Sequence, residues 1–138
     1  MTVDDIAAAI KDDLLANYDA ELPTTVDYVL DEALENVTAL KVHIMPRDEE
    51  STVENRRSNH VTFTVDVAVI RPAAKSLTSD EIKELQREPR NIRDFLDRRK
   101  QAGASWKRNT LATTYSYDHL KKTRLLVSMV RCEYRTLQ

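Results

Sequence analysis

Val61-Thr62-Phe63-Thr64-Val65-Asp66-Val67-Ala68-Val69-Ile70 is the stretch that decides the fold. Val61, Phe63, Val65, Val67 and Val69 fall on one phase, and Thr62, Thr64, Asp66 and Ala68 on the other. A period of two with β-branched residues on the apolar phase specifies a half-buried strand. Arg71-Pro72 closes it. Upstream, Leu40-Lys41-Val42-His43-Ile44-Met45 reads as a second strand, with Pro46 expected to stop it. The segment between them, Arg47 to Asn59, is too long and too charged for a tight hairpin turn. It is expected to stand out as an arm.

Outward from this pair, Met1 to Ala16 reads as a helix. Thr2 can cap it, Asp4 and Asp5 suit the positive end of the helix dipole, and Ile6, Ile10 and Leu14 make an apolar stripe. Thr24 to Val29 alternates weakly, as an edge strand would, and Leu30 to Asn36 has helical composition. Leu77 to Gln101 reads as a second helix. Thr78 with Glu81 matches a capping box, and Pro89 is expected to kink or break it. Gly103 is the expected terminator, with Arg98-Arg99-Lys100 near the C-terminal end. Trp106 to Tyr117 is expected to be extended. Arg124 to Thr136 is a last strand, apolar on both phases and therefore buried on both faces. The order implies one α+β domain over residues 1–138. Its sheet is mainly antiparallel with about four strands, two helices pack on one face, and the long charged arm joins two strands.

A chain of 138 residues fits one domain with a modest core. Aromatics are only 6%, so Val, Leu, Ile and Ala must fill that core. A charged fraction of 32% gives the character of a subunit that gains stability by assembly. No apolar run approaches a membrane span. The single cysteine, Cys132, lies in an apolar strand and reads as a buried thiol. Net charge is −2, yet residues 1–54 hold 14 Asp/Glu against 3 Lys/Arg, and residues 55–138 hold 18 Lys/Arg against 9 Asp/Glu. Two readings fit: two solvated faces of one domain, or head-to-tail contact between an acidic surface and a basic one.

The residues offer little for a chemical step. His43, His60 and His119 form no ligand pair at metal spacing. There is no nucleophile elbow, and one glycine cannot build a phosphate cradle. Asp12-Asp13 and Asp48-Glu49-Glu50 lack the spacing of a calcium loop. Arg56-Arg57, Arg98-Arg99-Lys100 and Lys107-Arg108 beside Trp106 suit phosphate contact. A pI near 5.9, however, argues against sequence-specific nucleic-acid binding. No cofactor or metal is expected.

Three runs carry a family likeness. They are Thr25-Val26-Asp27-Tyr28, Leu34-Glu35-Asn36-Val37 and Leu40-Lys41-Val42-His43-Ile44-Met45-Pro46, followed by the arginine-bearing arm and the long alternating strand. At the other end stand Tyr117-Asp118-His119-Leu120 and Leu125 to Arg135, a strand closing on Tyr134-Arg135. In this series the chain resembles the tail-terminator (tail-completion) proteins of long-tailed bacteriophages.

The resemblance implies a virion protein of the tail or neck, made in the host cytoplasm. It implies a hexameric ring that caps the tail tube, ends tube polymerisation and joins tail to head, with no active site. Its partners would be copies of itself, the major tail tube protein and a head-tail connector or stopper, with DNA free to pass through the ring. Arg47, Asp48, Glu49, Glu50, Glu54, Arg56 and Arg57 in the arm are the expected subunit or tube contacts. The alternatives are another neck ring subunit or, in a different class, a small intracellular regulatory binding domain.

Overall fold

The computed structural model describes residues 1–28, 40–53, 59–72, 80, 83, 86–113 and 125–137. Among these, five strands make one sheet in the order β1-β2-β3-β5-β4. They are β1 (Thr24–Val26), β2 (Lys41–Val53), β3 (Asn59–Pro72), β4 (Ser105–Thr113) and β5 (Leu125–Leu137). β1 runs parallel to β2, and every other pairing is antiparallel. Helices α1 (Val3–Asp13) and α2 (Arg87–Leu96) pack on one face, which is the α+β arrangement read from the sequence. The sheet has one strand more than expected, because the extended segment after Trp106 pairs with β5 as β4.

The apolar phase of β3 lies under the helices. Val61, Phe63, Val65, Val67 and Val69 join Ile6, Ile10 and Leu14 of the first helical segment and Ile92 and Leu96 of α2 in one core. Val130, Cys132 and Tyr134 extend it through β5. Each such side chain removed from water contributes about 1.5–3 kcal/mol. That packing, rather than intrinsic propensity, holds a helix as short as the 10-residue α2 in place. The expected helix partners Ile82 and Leu85, the capping pair Thr78 and Glu81, and Leu30 to Asn36 lie outside the described residues.

β3 is more than half-buried. Asp66, Ala68 and Ile70, on the face away from the helices, are also buried. Val127, paired with Ile70, is buried there too, so β5 has apolar residues on both faces as its mixed phase implied.

Pro46 does not stop β2, which runs on to Val53. The reason lies in which way the backbone points. Val42 N–H donates to the Pro23 carbonyl at 2.8 Å, and the Ile44 carbonyl accepts from Asp27 N–H at 3.0 Å. Even-numbered residues here therefore turn their polar groups toward β1 and odd-numbered ones toward β3. Pro46 is the next even residue, so its missing N–H costs no bond to β3. β1 ends at Val26, opposite Ile44, so among the described residues Pro46 has no partner strand on that side, an edge position where proline is tolerated. A bulge follows between Pro46 and Asp48, and pairing resumes from Asp48–Thr64 to Val53–Asn59. Much of the expected arm is thus a regular β-hairpin.

α1 is capped as its sequence suggests. Asp5 N–H donates to Thr2 Oγ1, and Thr2 N–H donates to the Asp5 carboxylate. The helical path continues past Asp13 as a π-helical turn, Leu14–Tyr18. The break expected near Pro89 is present: Asp80 and Lys83 are helical, Gln86 lies in a turn and α2 starts afresh at Arg87, with Pro89 in its first turn, where the missing N–H has no intrahelical partner to lose. α2 stops at Leu96, well before Gly103. Asp97 turns out of the helix and Arg98 takes φ +62°, in a tight turn where Arg99 N–H donates to the Leu96 carbonyl. Gly103 serves a second turn. Ala102 and Gly103 have φ +52° and +86°, and Gln101 and Ala104 exchange both backbone hydrogen bonds around them. Two consecutive positive φ angles define the hairpin turn that leads into β4.

Candidate functional site

The distal half of the β2–β3 hairpin is the part of the molecule richest in exposed charge. Residues Arg47 to Val53 are all exposed, in contrast to Val42 through Pro46 beneath the sheet's cover. Strand alternation divides the acids. Asp48 and Glu50 pair with Thr64 and Thr62, on the face away from the helices. Glu49 pairs with Phe63 and so lies on the helical side, where its carboxylate accepts Val3 N–H at 2.6 Å. An anion at a helix N-terminus is favoured by the dipole and satisfies an otherwise open donor. Glu49 is therefore occupied within the chain. Glu54, Arg56 and Arg57 lie outside the described residues.

Asp48, Glu49, Glu50 and Thr52 form one wall of an open, polar concavity of about 520 Å³. His60, Thr62 and Thr64 of β3 make its floor, and Lys107, Arg108, Glu133 and Arg135 its far side. Arg108 is ion-paired to Glu133 across β4 and β5. The result is a trough of mixed charge, acidic along β2 and largely basic along β4 and β5. It suits contact with another charged surface.

Arg47, the remaining sequence candidate, turns inward. Its Nε donates to Asp66 Oδ2 at 2.9 Å. Arg131 Nε donates to Asp66 Oδ1 at 2.9 Å, and its Nη2 reaches Oδ2 at 3.3 Å. Asp66 itself is 2% exposed, so two guanidinium groups neutralise a carboxylate taken out of water. A lone acid in an otherwise apolar strand was the sequence signal for this pair of contacts.

One further cluster holds Asp13 and Arg99, candidates for cation and phosphate contact. Asp13 accepts from Arg99 at 2.7 Å through each oxygen, and from Asn17 and Gln101. Partial burial pulls its pKa up, but these hydrogen bonds and the Arg99 charge hold it below the ordinary value. Arg99 also stacks 4.5 Å above the Phe95 ring, which lies 5.2 Å from Tyr18. Burial and a hydrogen bond to Glu88 push the Tyr18 phenol well up. Asp13 and Arg99 thus join α1 to the exit of α2 and are not free to hold a cation or a phosphate.

Thr25, Asp27 and His43, all within the family-like runs, come together on the β1–β2 pair. His43 Nδ1 lies 2.7 Å from Asp27 Oδ2 and 2.8 Å from Thr25 Oγ1. The His43 hydrogen bond, then that of Thr25, lowers the Asp27 pKa. His43 is 4% exposed, and its Nε2 has no hydrogen-bond partner among the described residues. Burial pushes the Cys132 thiol up to about 12, which leaves it a packing group. Among the described residues no cluster of His, Cys, Asp and Glu is placed to hold a metal ion, and no helix is long and apolar enough to cross a membrane.

Comparison with protein-family models and with curated protein sequences finds no match.

Proposed function

We propose that this chain is a structural assembly subunit that forms a ring at the end of a phage tail tube, halts tube growth and joins the tail to the head. The β2–β3 hairpin carries the reading. It is long and rigidly paired, and its exposed distal half is charged. Its Arg47 to Val53 segment presents side chains for contact and contributes none to the core that the rest of the hairpin builds. The family-like runs at both ends of the chain support the same role. Thr25 and Asp27 from the first of them and His43 from the third are joined in one hydrogen-bonded group, so these runs specify how β1 docks on β2. The work of such a subunit is binding, with no chemical step and no cofactor.

Mass measurement and negative-stain imaging of the purified protein test this. Rings with a central hole, and tail tubes of uniform length when the tube protein is assembled in their presence, are the expected result. A monomer at all concentrations, with no effect on tube length, overturns it and favours a small regulatory binding domain.

A further inference from the structure

Among the described residues the sheet has two margins without a strand partner, and they carry opposite charge. β1 covers β2 only as far as Ile44, so the outer edge of β2 from Pro46 to Val53 has no strand partner among the described residues. β4 closes the other side of the sheet and likewise has no outer strand partner among the described residues. The β2 margin bears Asp48, Glu49 and Glu50, and the β4 margin bears Lys107 and Arg108. An open edge presents a row of backbone donors and acceptors and pairs readily with another strand.

We propose that copies of this chain join head to tail by strand addition, the β2 margin of one pairing with the β4 margin of the next. This deepens the ring reading by naming the contact between subunits.

Three observations converge on it. The first is direction. β2 is antiparallel to β3, β3 to β5 and β5 to β4, so β2 and β4 point opposite ways. A copy placed alongside in the same orientation therefore continues the antiparallel alternation along Pro46 to Val53, beyond the stretch of β2 that β1 occupies, using the Ser105–Thr110 part of its β4. The second is register. Asp48 pairs with Thr64, Thr64 with Glu133 and Glu133 with Arg108, which makes one row across the sheet. Carrying that row into the next copy without slippage sets Asp48 beside the neighbour's Arg108. The adjoining row, Glu49–Phe63–Tyr134–Trp106, sets Glu49 opposite the neighbour's Trp106, with Lys107 the bulged residue between Trp106 and Arg108. Arg108 already pairs with Glu133, and its five N–H donors can serve a carboxylate on each side, as Asp66 serves two guanidinium groups.

The third is selectivity. Each margin has a bulge beside its charges, at Pro46/Asp48 and at Trp106/Arg108. Bulges and charges protect edges from indiscriminate pairing. Here the signs make the protection selective. Two β2 margins repel, two β4 margins repel, and only the unlike pair attracts. The contact is thus heterologous, the kind that closes into a ring when the rotation permits.

The test uses single charge reversals, Asp48→Arg and Arg108→Asp, with light scattering on each variant and on an equal mixture. Both sites are exposed, and circular dichroism establishes that each variant folds. Because Arg108→Asp also breaks the Glu133 pair, Lys107→Glu is measured beside it. Wild type is expected to assemble, and each single variant to need about tenfold or more higher protein concentration. The mixture should recover, since the arginine introduced on one variant's β2 margin then meets the aspartate introduced on the other's β4 margin, around an alternating ring. Single variants that assemble as wild type does would overturn the strand-addition contact and leave the ring reading standing. Failure of the mixture to recover, with both variants folded, would also overturn the contact. A wild-type protein that stays monomeric at every concentration would overturn both.

Discussion

Arg99 grips the Asp13 carboxylate through two hydrogen bonds of 2.7 Å each, across 86 residues of chain. The tight turn after α2 makes this possible by sending Arg99 back over the Phe95 ring. Because Asp13 is 12% exposed and Arg99 40%, the pair lies between a surface ion pair and a buried one. Replacing Arg99 by Ala should cost about 1–2 kcal/mol, below the full value of a charged hydrogen-bonded pair because Arg99 is partly solvated. Urea unfolding measures it, and an unchanged midpoint would contradict the geometry.

The same pair makes stability depend on pH in a definite direction. Asp13 has a lowered pKa when folded, so it binds a proton less readily in the folded state than in the unfolded one. Its stabilising contribution is complete above the ordinary carboxylate value of about 4 and is lost as pH falls through the depressed folded value. The stability difference between wild type and Asp13→Asn should therefore shrink on acidification below about pH 4. A difference that grew as pH fell would reverse the sign of this argument.

Asp66 leads to a prediction about non-additivity. It is buried, and Arg47 and Arg131 each bind it. Removing one arginine leaves the other to neutralise the carboxylate, so Arg47→Ala or Arg131→Ala should cost about 1–2 kcal/mol. Removing both leaves a buried charge unpaired and should cost about 3–5 kcal/mol, more than the two single effects added together. A double-mutant cycle by urea unfolding decides this, and strict additivity would show that the two contacts act independently.

The turn before β4 should respond to a single residue. Ala102 is exposed at φ +52°, a region that costs an L-residue with a Cβ about 1–2 kcal/mol. Asparagine tolerates that region, and Asn-Gly is the preferred pair for such a hairpin turn. Ala102→Asn should raise stability by roughly 0.5–1 kcal/mol and lift Tm by a few degrees. A lower Tm would mean that the turn is held by forces other than backbone preference.

Cys132 should be protected by the fold. It is fully buried, and burial raises its pKa to about 12. At pH 8 a thiol reagent should label it only as fast as the core opens, and mild urea should accelerate labelling sharply. Complete labelling within seconds under native conditions would place Cys132 at an accessible position.

The fold was legible where periodicity and burial agree. The phase of β3 and the stripe Ile6, Ile10 and Leu14 were read from spacing alone, and the same side chains form the core. Pro46 misled, whereas the break expected near Pro89 is there as the turn at Gln86. A proline breaks a strand only where its N–H was needed, and backbone direction is not printed in the residue type. β4 was legible only as an extended segment, because a strand under one short helix and beside a charged edge has no clean alternation. The candidate site was legible as a region. Asp48, Glu49 and Glu50 do line an exposed trough, but the Glu49 carboxylate is taken up by the α1 N-terminus and Arg47 neutralises Asp66. These assignments depend on which face a bulge turns a side chain toward, and on partners far away in sequence.

The position of β5 also affects how the chain is made. Although last in sequence among the five described strands, it lies between β3 and β4 and pairs with both along most of its length. While the ribosome has delivered only the first four strands, β4 has no neighbour and β3 offers an apolar edge to solvent. The sheet closes only when Leu125 to Leu137 has emerged, through contacts between residues remote in sequence, which is a slow class of folding step. Translation that stops short of β5 leaves an aggregation-prone intermediate rather than a smaller folded protein.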